Sequence, residues 1–360
     1  MAIANPTTTT PTAPTWPVLG QGPVVALLQG AIARGGVAHA YLFAGPPQSG
    51  RGTLARLFAQ TLNCEAGAPA LAPCGACRSC RKIARGVHPD VRVVGLASQA
   101  AGGGSRRESK NTSLGIDTIR ELQQGLSLRP LEGRWKVAIV EDAETMQEAA
   151  ASAFLKTLEE PPPFAVLVLL VTEGAAVLPT IRSRCQVVEV RPVERAELAR
   201  ALAAEHGVPP DDARTLAALA RGRAGWALDA AARPDFLAER RAALDAMLAT
   251  LEGPPAGLGP LVDRLTDRCR KGRRDEVYVE LDAWLGLWRD LLLARSACAE
   301  LVLNVDYTER LRALARRYDL AQLRQAVAAT GDALRQLDEN AAPRLVLETL
   351  ALRWTDASRE

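Results

Sequence analysis

Residues 39–53 read HAYLFAGPPQSGRGT, and this stretch decides the fold. Tyr41-Leu42-Phe43-Ala44 is a short apolar run of strand type. It leads directly into a glycine-bearing loop, Gly45-Pro46-Pro47-Gln48-Ser49-Gly50, after which residues 53–63 carry a helical pattern. Strand, glycine loop and helix in that order is the layout in which backbone N–H groups at a helix start cradle phosphate.

Outward from this stretch, four more strand-like runs follow, at residues 91–94, 137–140, 165–171 and 187–190. Helical patterns fall before and between them, at 20–34, 116–128 and 146–158, the last stopping at Glu160-Pro161-Pro162-Pro163. Continuous apolar strands alternating with helices predict an α/β domain whose parallel sheet is covered on both faces. After Pro192 the strand signals stop. Helical patterns take over at 195–205, 210–220 and 226–231, then from about 236 to the end, with a turn near Asn304-Val305-Asp306.

The 360 residues fit two or three domains. A net charge of +3 argues neither for nor against nucleic acid, so any such contact must come from a local arrangement. The longest apolar run, residues 164–171, is strand-sized, so no membrane span is expected. The start, MAIANPTTTTPTAPTWP, lacks the basic and apolar regions of a signal peptide and reads as a disordered tail. A cytoplasmic protein with reduced thiols is the expectation. Residues 101–112, AGGGSRRESKNT, read as a mobile basic surface loop.

Four of the seven cysteines fall together, as Cys64-x9-Cys74-x2-Cys77-x2-Cys80. Zinc takes four thiolates in a tetrahedron at about 2.3 Å, and a C-x2-C turn aims two of them at one centre. In a reducing compartment this spacing predicts structural Zn2+, closed to catalysis, with Arg78, Arg81 and Lys82 partly offsetting its charge. His88 is an alternative ligand. Cys185, Cys269 and Cys298 are scattered and expected to be inert.

The phosphate loop departs from G-x-x-x-x-G-K-[ST]. Gly45 and Gly50 are in frame, but Arg51 stands for the lysine and Gly52 for the hydroxyl residue. Thr53 offers a hydroxyl one residue late, turned by about 100° around the helix. After the strand at 137–140, Glu141-Asp142 exchanges the usual order of metal-binding Asp and water-activating Glu. Glu141 is therefore too long and Asp142 too short for those roles, and ATP with Mg2+ is not expected to be turned over here. Thr172 closes the strand at 165–171 beside this site. An arginine in Leu178-Pro179-Thr180-Ile181-Arg182-Ser183-Arg184-Cys185 can project toward a neighbouring subunit's nucleotide, while a surface ion pair is the commoner fate of such a residue.

These runs together carry a resemblance. HAYLFAGPP (39–47), the cysteine cluster, GVHPDV (86–91), IRELQQGLSLRPLEGRWKVAIVEDAETM (119–146), AFLKTLEEPPP (153–163), LPTIRSRCQ (178–186) and LDENAAPRLVLETLAL (337–352) resemble the clamp-loader subunits of bacterial DNA polymerase III. The resemblance implies an AAA+ fold: residues 18–192 as a five-stranded nucleotide-binding-type domain with a zinc module at about 64–85. It also implies a helical lid at 193–233 and an all-helical oligomerisation collar at 234–360. It implies gamma/tau and delta subunits, the sliding clamp and primed DNA as partners, and Arg184 as an arginine finger serving an adjacent ATPase. The altered loop, the segment LSLRPLEGRWKV and the absence of a long C-terminal extension lie nearer delta-prime than the active motor gamma/tau. A departure is Gly222-Arg223-Ala224-Gly225-Trp226, where relatives carry a nucleotide-sensing arginine. A free-standing zinc protein that binds DNA is disfavoured, because no recognition helix with a basic face adjoins the cysteines.

Overall fold

The computed structural model describes residues 16–67, 70–98, 113–254, 258–296 and 298–356. Residues 1–15 of the tail and the whole basic loop lie outside them. Trp16, placed in the tail by the sequence reading, is buried: its ring packs near Phe58 and its indole N–H donates to the Leu71 carbonyl at 3.0 Å.

The chain divides into two compact units. The first runs to Leu198 and takes in Gly222–Trp226. It holds helix α1 (Gly22–Ala33), strand β1 (Ala40–Ala44), α2 (Arg51–Leu62), α3 (Arg78–Ala84), β2 (Val91–Val94), α4 (Ile116–Ser127), β3 (Lys136–Val140), α5 (Glu148–Glu159), β4 (Ala165–Val171), α6 (Pro179–Arg182) and β5 (Gln186–Glu189). The five strands are all parallel, in the order β2-β3-β4-β1-β5.

Side chains alternate across a strand, so each of the central strands feeds two cores. Tyr41, Phe43, Val137, Ile139, Val166, Val168 and Leu170 face α1, α2 and α3. Ala40, Leu42, Ala138, Val140, Leu167, Leu169 and Val171 face α4, α5 and α6. Burial on both faces is why these strands read as unbroken apolar runs. The five-stranded parallel sheet expected from the sequence is thus present, with α2 starting one residue after Gly50 rather than at Thr53.

The second unit comprises Ala199–Arg221 and Ala227 onward and is helical. Beyond α7 (Arg195–His206), α8 (Pro210–Ala220) and α9 (Ala224–Ala231) come α10 (Phe236–Glu252), α11 (Leu258–Arg270), α12 (Arg274–Arg295), α13 (Thr308–Ala315), α14 (Leu320–Asp338) and α15 (Pro343–Asp356). Trp284, Trp288 and Trp354 pack against one another with tilted rings in its core. The interruption near residue 304 is a pair of 3-10 turns. Buried Asp290 holds the second one by accepting from the Leu303 and Asn304 backbone and the Asn304 side chain. Among the described residues no helix is long and apolar enough to cross a membrane.

Candidate functional site

The four cysteine sulfurs lie within 4.8 Å of one another. Cys64 ends the turn after α2, and Cys77 is the N-cap of α3. The Cys77 N–H donates to Cys74 Sγ and the Cys80 N–H to Cys77 Sγ, both at 3.3 Å. Such donors stabilise thiolates: those from Cys77 and Ala76 pull Cys74 down to about 6, whereas burial pushes Cys80 up. A converging set of four thiols with N–H···S support can hold a metal such as zinc.

His88 is not among the converging ligands. Its Nδ1 accepts the Asp90 N–H at 3.1 Å, which leaves the proton on Nε2 to donate to Ser79 Oγ at 2.9 Å. The offsetting role expected for Arg78 and Lys82 also needs correction, because both pair with Glu132, at 3.5 and 2.7 Å.

The module is tied to the sheet by groups the sequence reading passed over. Asn63 Oδ1 accepts from the Arg134 and Trp135 N–H groups, and Asp90 accepts from those of Leu131, Glu132 and Gly133. Lys136 Nζ lies 3.4 Å from Asp90, and both side chains are buried. Burial alone would raise the Asp90 carboxyl, but the three backbone donors and Lys136 outweigh it and leave it below the ordinary aspartate value. A carboxylate depressed in the folded state contributes stability that is complete above the ordinary value and is lost as pH falls through the depressed one. D90N, which leaves Lys136 buried without a counter-charge, should cost about 3 kcal/mol at neutral pH. Chemical denaturation should show that deficit narrowing in acid.

At the end of β1, Gly45 admits no side chain, since a Cβ there would lie 2.2 Å from the Val190 carbonyl oxygen. Gly50, at φ +99°, caps α2 in the left-handed region. Arg51 opens the helix facing Glu144, Asp142 and Glu141; burial lowers its pKa while those carboxylates oppose the shift. Gly52, not Thr53, points at Glu141: a Cβ at Gly52 would be 3.8 Å from Glu141 Oε1, and Thr53 is exposed. Glu141 Oε1 accepts from Arg56 at 3.0 Å. Thr172 donates its N–H and its hydroxyl to Glu144 Oε1, at 3.0 and 2.8 Å. The Gly225 N–H donates to the Gln48 carbonyl at 2.9 Å, so the Gly222–Trp226 segment closes on the loop's backbone. Arg223 stacks on Trp226 at 5.6 Å.

Arg184 stands elsewhere. β5 pairs with β1 in the register Tyr41↔Gln186, and Arg184 lies in the turn just before Gln186, at the end where both strands begin. Gly45 follows the other end of β1, four residues beyond Tyr41, roughly 13 Å at strand rise. Arg184 is thus at the opposite end of the sheet from its own phosphate loop. Its guanidinium is part-exposed, 2.8 Å from Glu159 at the end of α5 and donating to the Thr180 carbonyl at 3.0 Å. Burial pushes the neighbouring Cys185 thiol up to about 11, which keeps it unreactive.

Residues 20–194 match the protein family described as DNA polymerase III, delta subunit. The chain is 38% identical over 200 residues to DNA polymerase III subunit gamma/tau of Mycobacterium bovis, covering 54% of this chain and 32% of the relative. It is 32% identical over 222 residues to DNA polymerase III subunit tau of Escherichia coli, covering 61% and 32%. The chain therefore spans about a third of the length of these relatives. A DNA polymerase III gamma subunit-related protein from Thermotoga maritima is 19% identical with a TM-score of 0.38, covering 93% of this chain and 99% of that one. The sequence similarity to DNA polymerase III subunits thus lies mainly in the sheet unit.

Proposed function

We propose that this chain is a delta-prime-type subunit of a cytoplasmic DNA polymerase III clamp loader. In this reading it helps place a sliding clamp on primed DNA, beside gamma/tau and delta-type partners. Its helical regions serve as lid (193–233) and collar (234–360), and a structural Zn2+ ion stiffens the module at 64–85. Its contribution to chemistry is Arg184, offered in trans to a neighbour's nucleotide. The observation that carries the reading is the separation of Arg184 from its own loop, by the length of a strand.

The chain's own loop is an impaired nucleotide site. Gly52 brings no hydroxyl for Mg2+, and Arg56 already engages Glu141. The residues present do not fit a magnesium-bound nucleotide. Calorimetric titration of the zinc-loaded chain with ATP and Mg2+ should give no micromolar binding and no turnover. Micromolar binding with magnesium-dependent hydrolysis would favour the second reading, an active gamma/tau-type motor, toward which the names of the curated relatives point.

A further inference from the structure

Arg56, the sixth residue of α2, has a place that the phosphate-loop pattern does not explain. In a helix, Cα–Cβ bonds tilt toward the N-terminus, so residue i+4 leans back over residue i. Here i is Gly52 and i+4 is Arg56. A Cβ built at Gly52 would lie 3.4 Å from Arg56 Nη1 and 3.8 Å from Glu141 Oε1, and the two side chains meet at 3.0 Å. Position 52 thus lies in van der Waals range of both partners of the Arg56–Glu141 pair.

In a working loop, the space between the hydroxyl at this position and the acid after β3 belongs to the divalent cation. We propose that the Arg56 guanidinium stands in that space, neutralises Glu141 from within, and so excludes Mg2+ and its nucleotide complexes. This rests on the impaired-site reading and names the residue responsible. The surrounding charges agree with it. Glu144 Oε1 accepts from the Thr172 N–H and hydroxyl while its Oε2 is buried without a hydrogen-bond partner, and Arg51 faces all three carboxylates. A cationic guanidinium paired with a carboxylate competes with a divalent cation for the same negative charge.

The test uses the full, zinc-loaded chain with Mn2+ and ADP, reading free Mn2+ by its paramagnetic resonance. The unaltered chain should leave Mn2+ free. The double variant G52T/R56Q, which vacates Glu141 and supplies a hydroxyl, should gain about tenfold or more in Mn2+ affinity, the scale on which ligand-supporting groups act. Adding E141Q should abolish that gain. If the double variant melts like the parent yet binds no Mn2+, Arg56 is not what excludes the cation, although the impaired-site reading stands. If the unaltered chain binds Mn2+ and ADP and hydrolyses ATP, both fall. Should the double variant not fold, R56Q alone decides: increased Mn2+ affinity supports the proposal and unchanged affinity overturns it.

Discussion

R184A should leave the purified chain folded and lower the ATPase of an assembly reconstituted with gamma/tau and delta-type subunits by about 10³-fold or more, the range measured for arginine fingers. The folding half follows from the surroundings of the side chain. Its two contacts, to Glu159 and the Thr180 carbonyl, lie at the surface, where an ion pair contributes about 0–1 kcal/mol. The catalytic half follows from where the residue stands. Arg184 follows the short helix α6 and sits just before β5, with Cys185 half-buried beside it, so the backbone is set while the guanidinium stays accessible. Held only by exposed partners, it can exchange Glu159 for a neighbour's phosphate at little cost. E159Q should then alter turnover far less than R184A, because Glu159 only parks the side chain. Thermal melts of the variant alone and steady-state ATPase of the assembly separate the two halves. An assembly rate unchanged by R184A sinks the finger role, whatever the melts show.

The sheet was legible because its strands are buried on both sides. Residues such as Val166 to Leu170 leave no polar face, and a continuous apolar run ended by Glu160-Pro161-Pro162-Pro163 on one side and Thr172 on the other is hard to read as a helix. The cysteine cluster was legible because thiol spacing alone restricts the geometry. What stayed hidden depends on long-range pairing. Arg78 and Lys82 turn to Glu132, some fifty residues on, rather than to the thiolates. Asp90 and Asn63 hold a loop forty and seventy residues away through backbone N–H groups, which no pattern marks. Trp16 was lost in a Thr/Pro stretch, although a lone large aromatic there is a signal that the chain has begun to pack. Another local signal is Arg56, four residues after Gly52 on α2 and therefore on the same helix face as Gly52.

Removing the metal should have the largest effect on stability. C80S should lose bound zinc and lower the melting midpoint of the sheet unit by about 10–20 °C, equivalent to about 5 kcal/mol for a unit of this size. In isolated fingers the metal contributes roughly 10–16 kcal/mol, because nothing else holds the chain. Here several anchors survive without it. Gln60 donates to the Cys80 carbonyl, Glu65 accepts the Ser79 N–H, Arg134 donates to the Cys64 carbonyl, and Trp16 and Gln29 both hold the Leu71 carbonyl. These keep the ends of the module near the core, so only part of the metal's contribution is lost. Yet Ile83 of α3 is buried in the core shared with α2 and the sheet, and α3 is capped by Cys77 itself. Loosening the cluster therefore frees a helix from the core rather than fraying a loop. The position matters as well. Cys74 is exposed and Cys80 is buried, so C74H has room to restore a Cys3His site while C80H does not. Metal analysis should find one zinc per chain in the parent and in C74H and none in C80S, with calorimetric midpoints in the same order. Equal midpoints for parent and C80S would mean that the cluster, metal or not, contributes nothing to holding α3 against the sheet.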